Sequence, residues 1–243
     1  MKKRRILWGW GVPPLNAESL PRHVTWNPEL RQLCYAPLEE QEQLRGKALA
    51  VPAAGTALQP GVPLVLGPWP GSEGNQSEIT VTFPLPKAGA ALFGVVVMGG
   101  ADPATSGTFL FVDYSAARGE GAGRPRSVTV GAMSNRTAVQ NTSTPGHFGC
   151  YSPGVKCAND TLQLTERDSS ITLRAFVDNN LAECYWQQNR VAIMVAAPPT
   201  ETASVSLYSN VSLTPAGVKA WTVADIWISK AELLASPRKD ATP

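Results

Sequence analysis

His147 stands three residues before Cys150, a spacing at which an imidazole could activate a thiol. Catalytic partners of that kind are normally brought together from distant segments, so the pair reads as part of a loop. His23, the other histidine, has no Ser or Cys nucleophile motif beside it. Four cysteines without a C-x2-C spacing, and two histidines, make a zinc site unexpected, and no metal or other cofactor is expected. Gly119-Glu120-Gly121-Ala122-Gly123 lacks the strand and helix frame of a nucleotide-binding loop and reads as a flexible hairpin connection. The carboxylates of Arg167-Asp168-Ser169 and Glu183-Cys184 remain. Hydrolysis of a glycosidic bond needs two carboxyl groups, one protonated and one ionised, and a lone carboxyl cannot supply both roles. Asp168, between two strand candidates, reads as a solvated turn, and Glu183 as an acceptor of structural hydrogen bonds.

The elements that carry these residues are short strands. Ile79-Thr80-Val81-Thr82-Phe83, Ser127-Val128-Thr129-Val130 and Ser204-Val205-Ser206-Leu207-Tyr208 alternate with period two, the pattern of a strand with one buried face. Phe93 to Met98 and Val191 to Ala196 are more continuously apolar and are expected in the middle of a packed sandwich. Ile171 to Asp178 and Trp221 to Ile228 complete the set, with turn signals at Gly99-Gly100, Asp178-Asn179-Asn180 and Pro198-Pro199. Pro, Gly and Ala between Ala48 and Gly74 suit an irregular crossing or an edge strand. The helical candidates are Leu38 to Leu44 and Lys230 to Leu234. The expected fold class is therefore all-β, a two-layer antiparallel β-sandwich.

Composition sets the partners. A chain of 243 residues with 43% hydrophobic residues can bury a large core, and a net charge of +2 without a basic stripe makes nucleic acid an unexpected partner. Lys2-Lys3-Arg4-Arg5 followed by Ile6-Leu7-Trp8 imitates the start of a signal peptide, but Gly9, Gly11, Pro13 and Pro14 interrupt it, and no signal peptide is read. No apolar run approaches the ~20 residues that span a bilayer, so no membrane segment is expected. N-x-S/T sequons begin at Asn75, Asn135, Asn141, Asn159 and Asn210, candidates for glycosylation if the chain is exported. Cys150 and Cys157 are close enough to close a short loop as a disulfide, although four cysteines allow three pairings and four free thiols are the alternative.

Several segments, in order, resemble glycoside hydrolase family 32, the invertases, fructanases and related β-fructosidases. Arg4-Arg5-Ile6-Leu7-Trp8-Gly9-Trp10, running through Leu20-Pro21-Arg22 to a linker ending at Arg45, is similar to the passage from the last propeller blade into the C-terminal sandwich. Phe93-Gly94-Val95-Val96-Val97 and Phe109-Leu110-Phe111-Val112-Asp113 look like the family's early strand pair. Phe176-Val177-Asp178, then Leu181-Ala182-Glu183-Cys184-Tyr185 and Asn189-Arg190-Val191, resemble a later signature, with Gln187-Gln188-Asn189 where the family often has glycines. Ala224-Asp225-Ile226-Trp227-Ile228 resembles its closing strand.

The resemblance implies three regions: residues 1–46 as the remnant of a β-propeller blade plus linker, 47–235 as the sandwich and 236–243 as a flexible tail. It implies the C-terminal portion of a sucrose- or fructan-cleaving enzyme, secreted or vacuolar in the intact family. The partner would be a propeller domain, missing or encoded upstream, or another subunit. The family's Trp-Met-Asn-Asp-Pro-Asn-Gly nucleophile segment does not occur, Arg167-Asp168-Ser169 lacks the proline of its Arg-Asp-Pro, and the surroundings of Glu183-Cys184 match the sandwich rather than the acid of the propeller. No catalytic residue is therefore assigned, and the chain is expected to be inactive alone. Asp178, Glu183 and Arg190 become candidates for interdomain contacts. The alternative is a free-standing carbohydrate-binding or interaction module, for which Trp69, Tyr185, Trp186 and Trp221 are the candidate sugar-stacking aromatics.

Overall fold

The computed structural model describes residues 3–11, 17–66, 69, 73–86, 90–100, 106–118, 126–134, 157–224 and 231. Their strands are β1 (Ile6–Leu7), β2 (Trp10–Gly11), β3 (Ala17–Glu18), β4 (Arg22–Asn27), β5 (Gln32–Pro37), β6 (Arg45–Ala48), β7 (Leu64–Val65), β8 (Gln76–Pro84) and β9 (Leu92–Gly99). There follow β10 (Thr108–Arg118), β11 (Arg126–Ser134), β12 (Cys157–Leu164), β13 (Ser170–Asp178), β14 (Leu181–Trp186), β15 (Val191–Ala196), β16 (Ser204–Ser209) and β17 (Gly217–Val223). His147, Cys150, Asn135, Asn141, the Gly119–Gly123 loop, residues 225–228, the helical candidate at 230–234 apart from Ala231, and the tail at 236–243 lie outside the described residues.

Two six-stranded sheets, β12-β11-β10-β9-β16-β7 and β15-β14-β13-β8-β17-β6, form the sandwich, and every pairing is antiparallel. Alternation decides which residues meet. In β8 and β13 the register sets Ile79 opposite Ala175, Val81 opposite Leu173 and Phe83 opposite Ile171, so one face carries the apolar set. That face meets Phe93, Val95, Val97, Leu110, Val112, Val128 and Val130 of the other sheet in one buried cluster. Phe83 and Phe93 join the layers with ring centroids 5.2 Å apart. Gly94, inside β9, faces the backbone of β10, where a Cβ would collide with the carbonyl oxygen of Leu110.

One strand expectation needs correction. β9 is buried at every position and has neighbours on both sides, but Val191–Ala196 is the edge strand β15, alternately buried and half-buried. Its run of apolar residues reflects the covering of an edge rather than a central place. The last described strand is β17, ending at Val223. Between β6 and β7 the chain crosses irregularly from one sheet to the other, and the two strands are edges of opposite sheets. Residues Glu39–Leu44 form a 3-10 helix with Glu39, Glu40 and Glu42 in its first turn, where carboxylates favour the N-terminal end of the backbone dipole.

Among the described residues the N-terminal strands make a separate three-stranded antiparallel sheet, β1-β4-β5, and a two-stranded pair, β2-β3. Trp26 and Leu33 oppose each other across β4 and β5 and are 58% and 42% exposed. Trp8 and Trp10 are exposed as well.

Candidate functional site

Outward positions of the second sheet ought to be solvated. Register instead aligns Trp221, Glu78, Phe176 and Glu183 in one row across β17, β8, β13 and β14, and both glutamates are buried, at 0% and 1% exposure. A third layer, residues 20–45, covers them. The Glu183 carboxylate accepts hydrogen bonds from the Leu20 amide at 2.8 Å, from Arg22 Nε at 2.9 Å and from Tyr185 Oη at 2.8 Å, and it also pairs with Arg22 Nη2. Glu78 accepts from Arg45 Nε at 2.8 Å, Arg45 Nη2 at 2.6 Å and Arg174 Nε at 2.7 Å. Arg45 stacks on Trp221 at 4.2 Å, and Arg174 on Phe176 at 4.9 Å.

The two carboxylates stand two strands apart, a backbone spacing of roughly 9–10 Å. That is the outer end of the separation of an inverting glycosidase pair, about 6.5–9.5 Å. Each glutamate is engaged by a guanidinium and shut off from solvent, so a glycosidic oxygen or an attacking water has no access to either carboxylate in this arrangement. Burial on its own would lower the Arg22 pKa, but Glu183 outweighs it and holds the guanidinium charged. Burial, and then the Glu183 carboxylate, push the Tyr185 phenol up, so it stays a donor. Cys184 is pushed up to about 12, mainly by burial, which keeps it an inert thiol.

A second cluster holds β5 against the sandwich. Gln187, Gln188 and Asn189 all adopt positive φ, at 41°, 55° and 65°. Non-glycine residues pay for this conformation, and neighbouring bonds fix it here. Gln187 accepts from the Thr172 amide at 2.9 Å and donates to Asp168 Oδ1 at 2.6 Å. Arg190 donates to Asp168 Oδ2 at 2.7 Å and to the Gln163 carbonyl at 3.0 Å. The Asn189 carbonyl accepts from the Tyr35 amide at 2.8 Å, and the Arg190 carbonyl from Gln32 Nε2 at 3.0 Å. Gln188 is exposed and its side chain has no described bond. Gln188→Gly should therefore raise stability by up to about 1 kcal/mol in thermal denaturation, the left-handed penalty of roughly 1–2 kcal/mol being partly offset by glycine's freer unfolded chain.

The family described as glycosyl hydrolases family 32 C terminal matches residues 40–225, well over half of the chain. The chain belongs to this family. Insoluble isoenzyme 2 of beta-fructofuranosidase from Oryza sativa subsp. indica is 24% identical over 238 residues, covering 82% of this chain and 37% of that protein, and the subsp. japonica protein matches equally. The chain thus spans 37% of the length of these curated relatives. Among solved structures, fructan 1-exohydrolase IIa from Cichorium intybus superposes with a TM-score of 0.66 at 20% identity, over 92% of this chain and 46% of that one. Exo-inulinase from Aspergillus awamori gives 0.61 at 17% identity, over 92% and 41%. Both share the fold.

Against this family 32 frame, Glu183 lies at the seam between the N-terminal segment and the sandwich. Arg190 reaches that seam through its carbonyl, while its guanidinium turns into the sandwich. The described bonds of Asp178 stay within the sandwich, to Gln76 and Asn179. Asp168 departs from the solvated turn expected of it, since its side chain is 7% exposed and bonded on both oxygens. The stacking expectation is corrected for Trp186 and Tyr185: Trp186 points into the core and Tyr185 lies beneath Arg22, so neither offers a face to a sugar. Trp69 is half-buried and donates to the Ala50 carbonyl, and one face of Trp221 is taken by Arg45. Cys34 and Cys184 are free thiols and Cys157 is disulfide-bonded. Asn159 and Asn210 are exposed, whereas the Asn75 Oδ1 atom is buried. Sequence reasoning missed Glu78 and its arginines; their signal was a charged residue at an outward position of a strand otherwise well formed.

Proposed function

We propose that this chain is the supporting sandwich of a β-fructosidase, and that residues 4–45 continue it towards a catalytic propeller. Sucrose or fructan is the substrate of the complete enzyme in this reading, in a secreted or vacuolar setting, and the sandwich itself performs no hydrolysis. The observation that carries it is Glu183: the carboxylate of the Glu-Cys pair is buried and fully engaged in fastening the N-terminal segment. The exposed Trp8, Trp26 and Leu33 supply an apolar surface suited to a further protein layer.

Two measurements test this. The purified 243-residue chain should release no glucose from sucrose, and measurable turnover that Glu183→Gln abolishes would overturn the structural role of that carboxylate. In size-exclusion chromatography with light scattering the isolated chain should run above its 25.9 kDa monomer mass, and Trp26→Ser with Leu33→Ser should restore the monomer. A monodisperse monomer of the unaltered chain would count against the apolar surface as a docking face. On export, glycans are expected at Asn159 and Asn210, read by peptide mass spectrometry.

A further inference from the structure

Among the described residues each sheet of the sandwich ends in two edge strands, and an edge offers unpaired backbone groups to an extended chain unless something guards it. Three of these edges are guarded by charge or cover. β6 carries Arg45 and the exposed Lys47, and β15 lies against β5 and β12. On β12 the exposed Asp160 turns its carboxylate back on the Thr161 amide at 2.7 Å. β7 has no such device: the sequence contains no charged residue or histidine between Lys47 and Glu73, and Val62 and Val65 are 57% and 46% exposed.

Leu66 donates its amide to the Val205 carbonyl at 2.9 Å, so by the alternation of an antiparallel ladder Val65 turns its own N–H and C=O away from β16, to a side where no described strand pairs with them. Beside this edge an apolar hollow of about 210 Å³ is lined by Val51, Pro52, Leu64, Pro215 and Val218, with no charged side chain among its described lining residues. The charge pattern selects the partner. Pairing about a two-fold axis sets each residue near its own counterpart, so Lys47 of β6 or Asp160 of β12 would face a like charge, whereas Val65 meets another valine. The net charge of +2 adds little repulsion between whole copies. Pro63 has no N–H to offer and β7 is two residues long, so the contact is confined to a few residues and stays weak.

We propose that β7 is a self-association edge, at which two copies of this chain pair antiparallel with Val65 opposite Val65 and the first sheet runs on from one copy into the other. The contact is independent of the catalytic partnership proposed above, because it lies on the sandwich and uses neither Trp26 nor Leu33. Sedimentation velocity on the full chain carrying Trp26→Ser and Leu33→Ser tests it, since that chain lacks the other apolar face. A monomer–dimer equilibrium with a dissociation constant on the order of 100 μM is expected, populated in the ultracentrifuge at about 500 μM and absent at the roughly 5 μM of a size-exclusion run. Val65→Lys should weaken the dimer about tenfold without moving the melting temperature, and so should Val65→Glu, each removing an apolar contact and placing like charges across the axis. Mixing the two variants should restore association, a result that a self-paired edge gives and an edge reserved for another protein does not. A monomer at every concentration, a dimer indifferent to Val65→Lys, or no recovery on mixing would overturn the proposal; none of these outcomes touches the docking face, which answers to Trp26 and Leu33.

Discussion

Replacing Glu183 with alanine is expected to lower stability by about 3–5 kcal/mol, the usual cost of removing one partner from a buried ion pair. Arg22, with its side chain 13% exposed, would keep its charge without a carboxylate, and the Leu20 amide and Tyr185 hydroxyl would lose their acceptor. At about 2–4 °C per kcal/mol for a chain of this size, the loss is large in a melting experiment. Joint replacement, Glu183→Leu with Arg22→Met, removes both charges and should recover most of it, because apolar residues of similar volume often substitute for buried pairs. The same urea series on single and double variants decides the matter. A loss below about 1 kcal/mol in the single variant would mean that water reaches Arg22, placing the pair in the weak class of surface bridges.

Asp168→Ala should cost a similar amount, about 3–5 kcal/mol, and Asp168 also gives the fold an acid dependence. Burial alone would raise its pKa, but hydrogen bonds from Arg190, the Thr165 amide and Gln187 outweigh it and hold the carboxyl below its ordinary value. A group with a depressed folded pKa contributes stability above its unfolded value, about 3.9, and that contribution disappears as pH falls through the lower folded value. Urea midpoints of the natural chain should therefore be flat with respect to this group from neutral pH down to about 4 and fall below it. Asp168→Asn should begin less stable at pH 7 and show a shallower acid decline. A decline of equal steepness in both proteins would assign the acid sensitivity to other carboxylates.

Strand alternation made the sandwich legible, because Ile79, Val81 and Phe83 can share a face only in an extended chain with period two. The same parity could have separated Trp186 from Glu183: Cys184 and Trp186 lie on the inward face, Glu183 and Tyr185 on the outward one. Parity does not reveal what lies above the outward face. Glu183 meets Arg22 across 161 residues of sequence and Glu78 meets Arg45 across 33, so local pattern alone marks them as solvated. Asp168 was misread for the same reason, its arginine being 22 residues away on the far side of a hairpin. Val191–Ala196 looked central because an edge strand whose flank is covered needs the same apolar residues as an interior one.

The buried row of Glu78 and Glu183 also determines where this protein can be cut. A fragment starting near residue 47 would keep the strands from β7 to β17 but cut β6 in half and lose Arg22 and Arg45, leaving two carboxylates on a sheet face partly stripped of cover. Residues 20–45 should thus melt together with the sandwich in one transition, and limited proteolysis should spare the linker of the native chain because the segment there is clamped. A fragment begun ahead of Leu20 should therefore resist urea better than one begun near residue 47, the segment that fastens the sheet face lying well before the first long strand of the core.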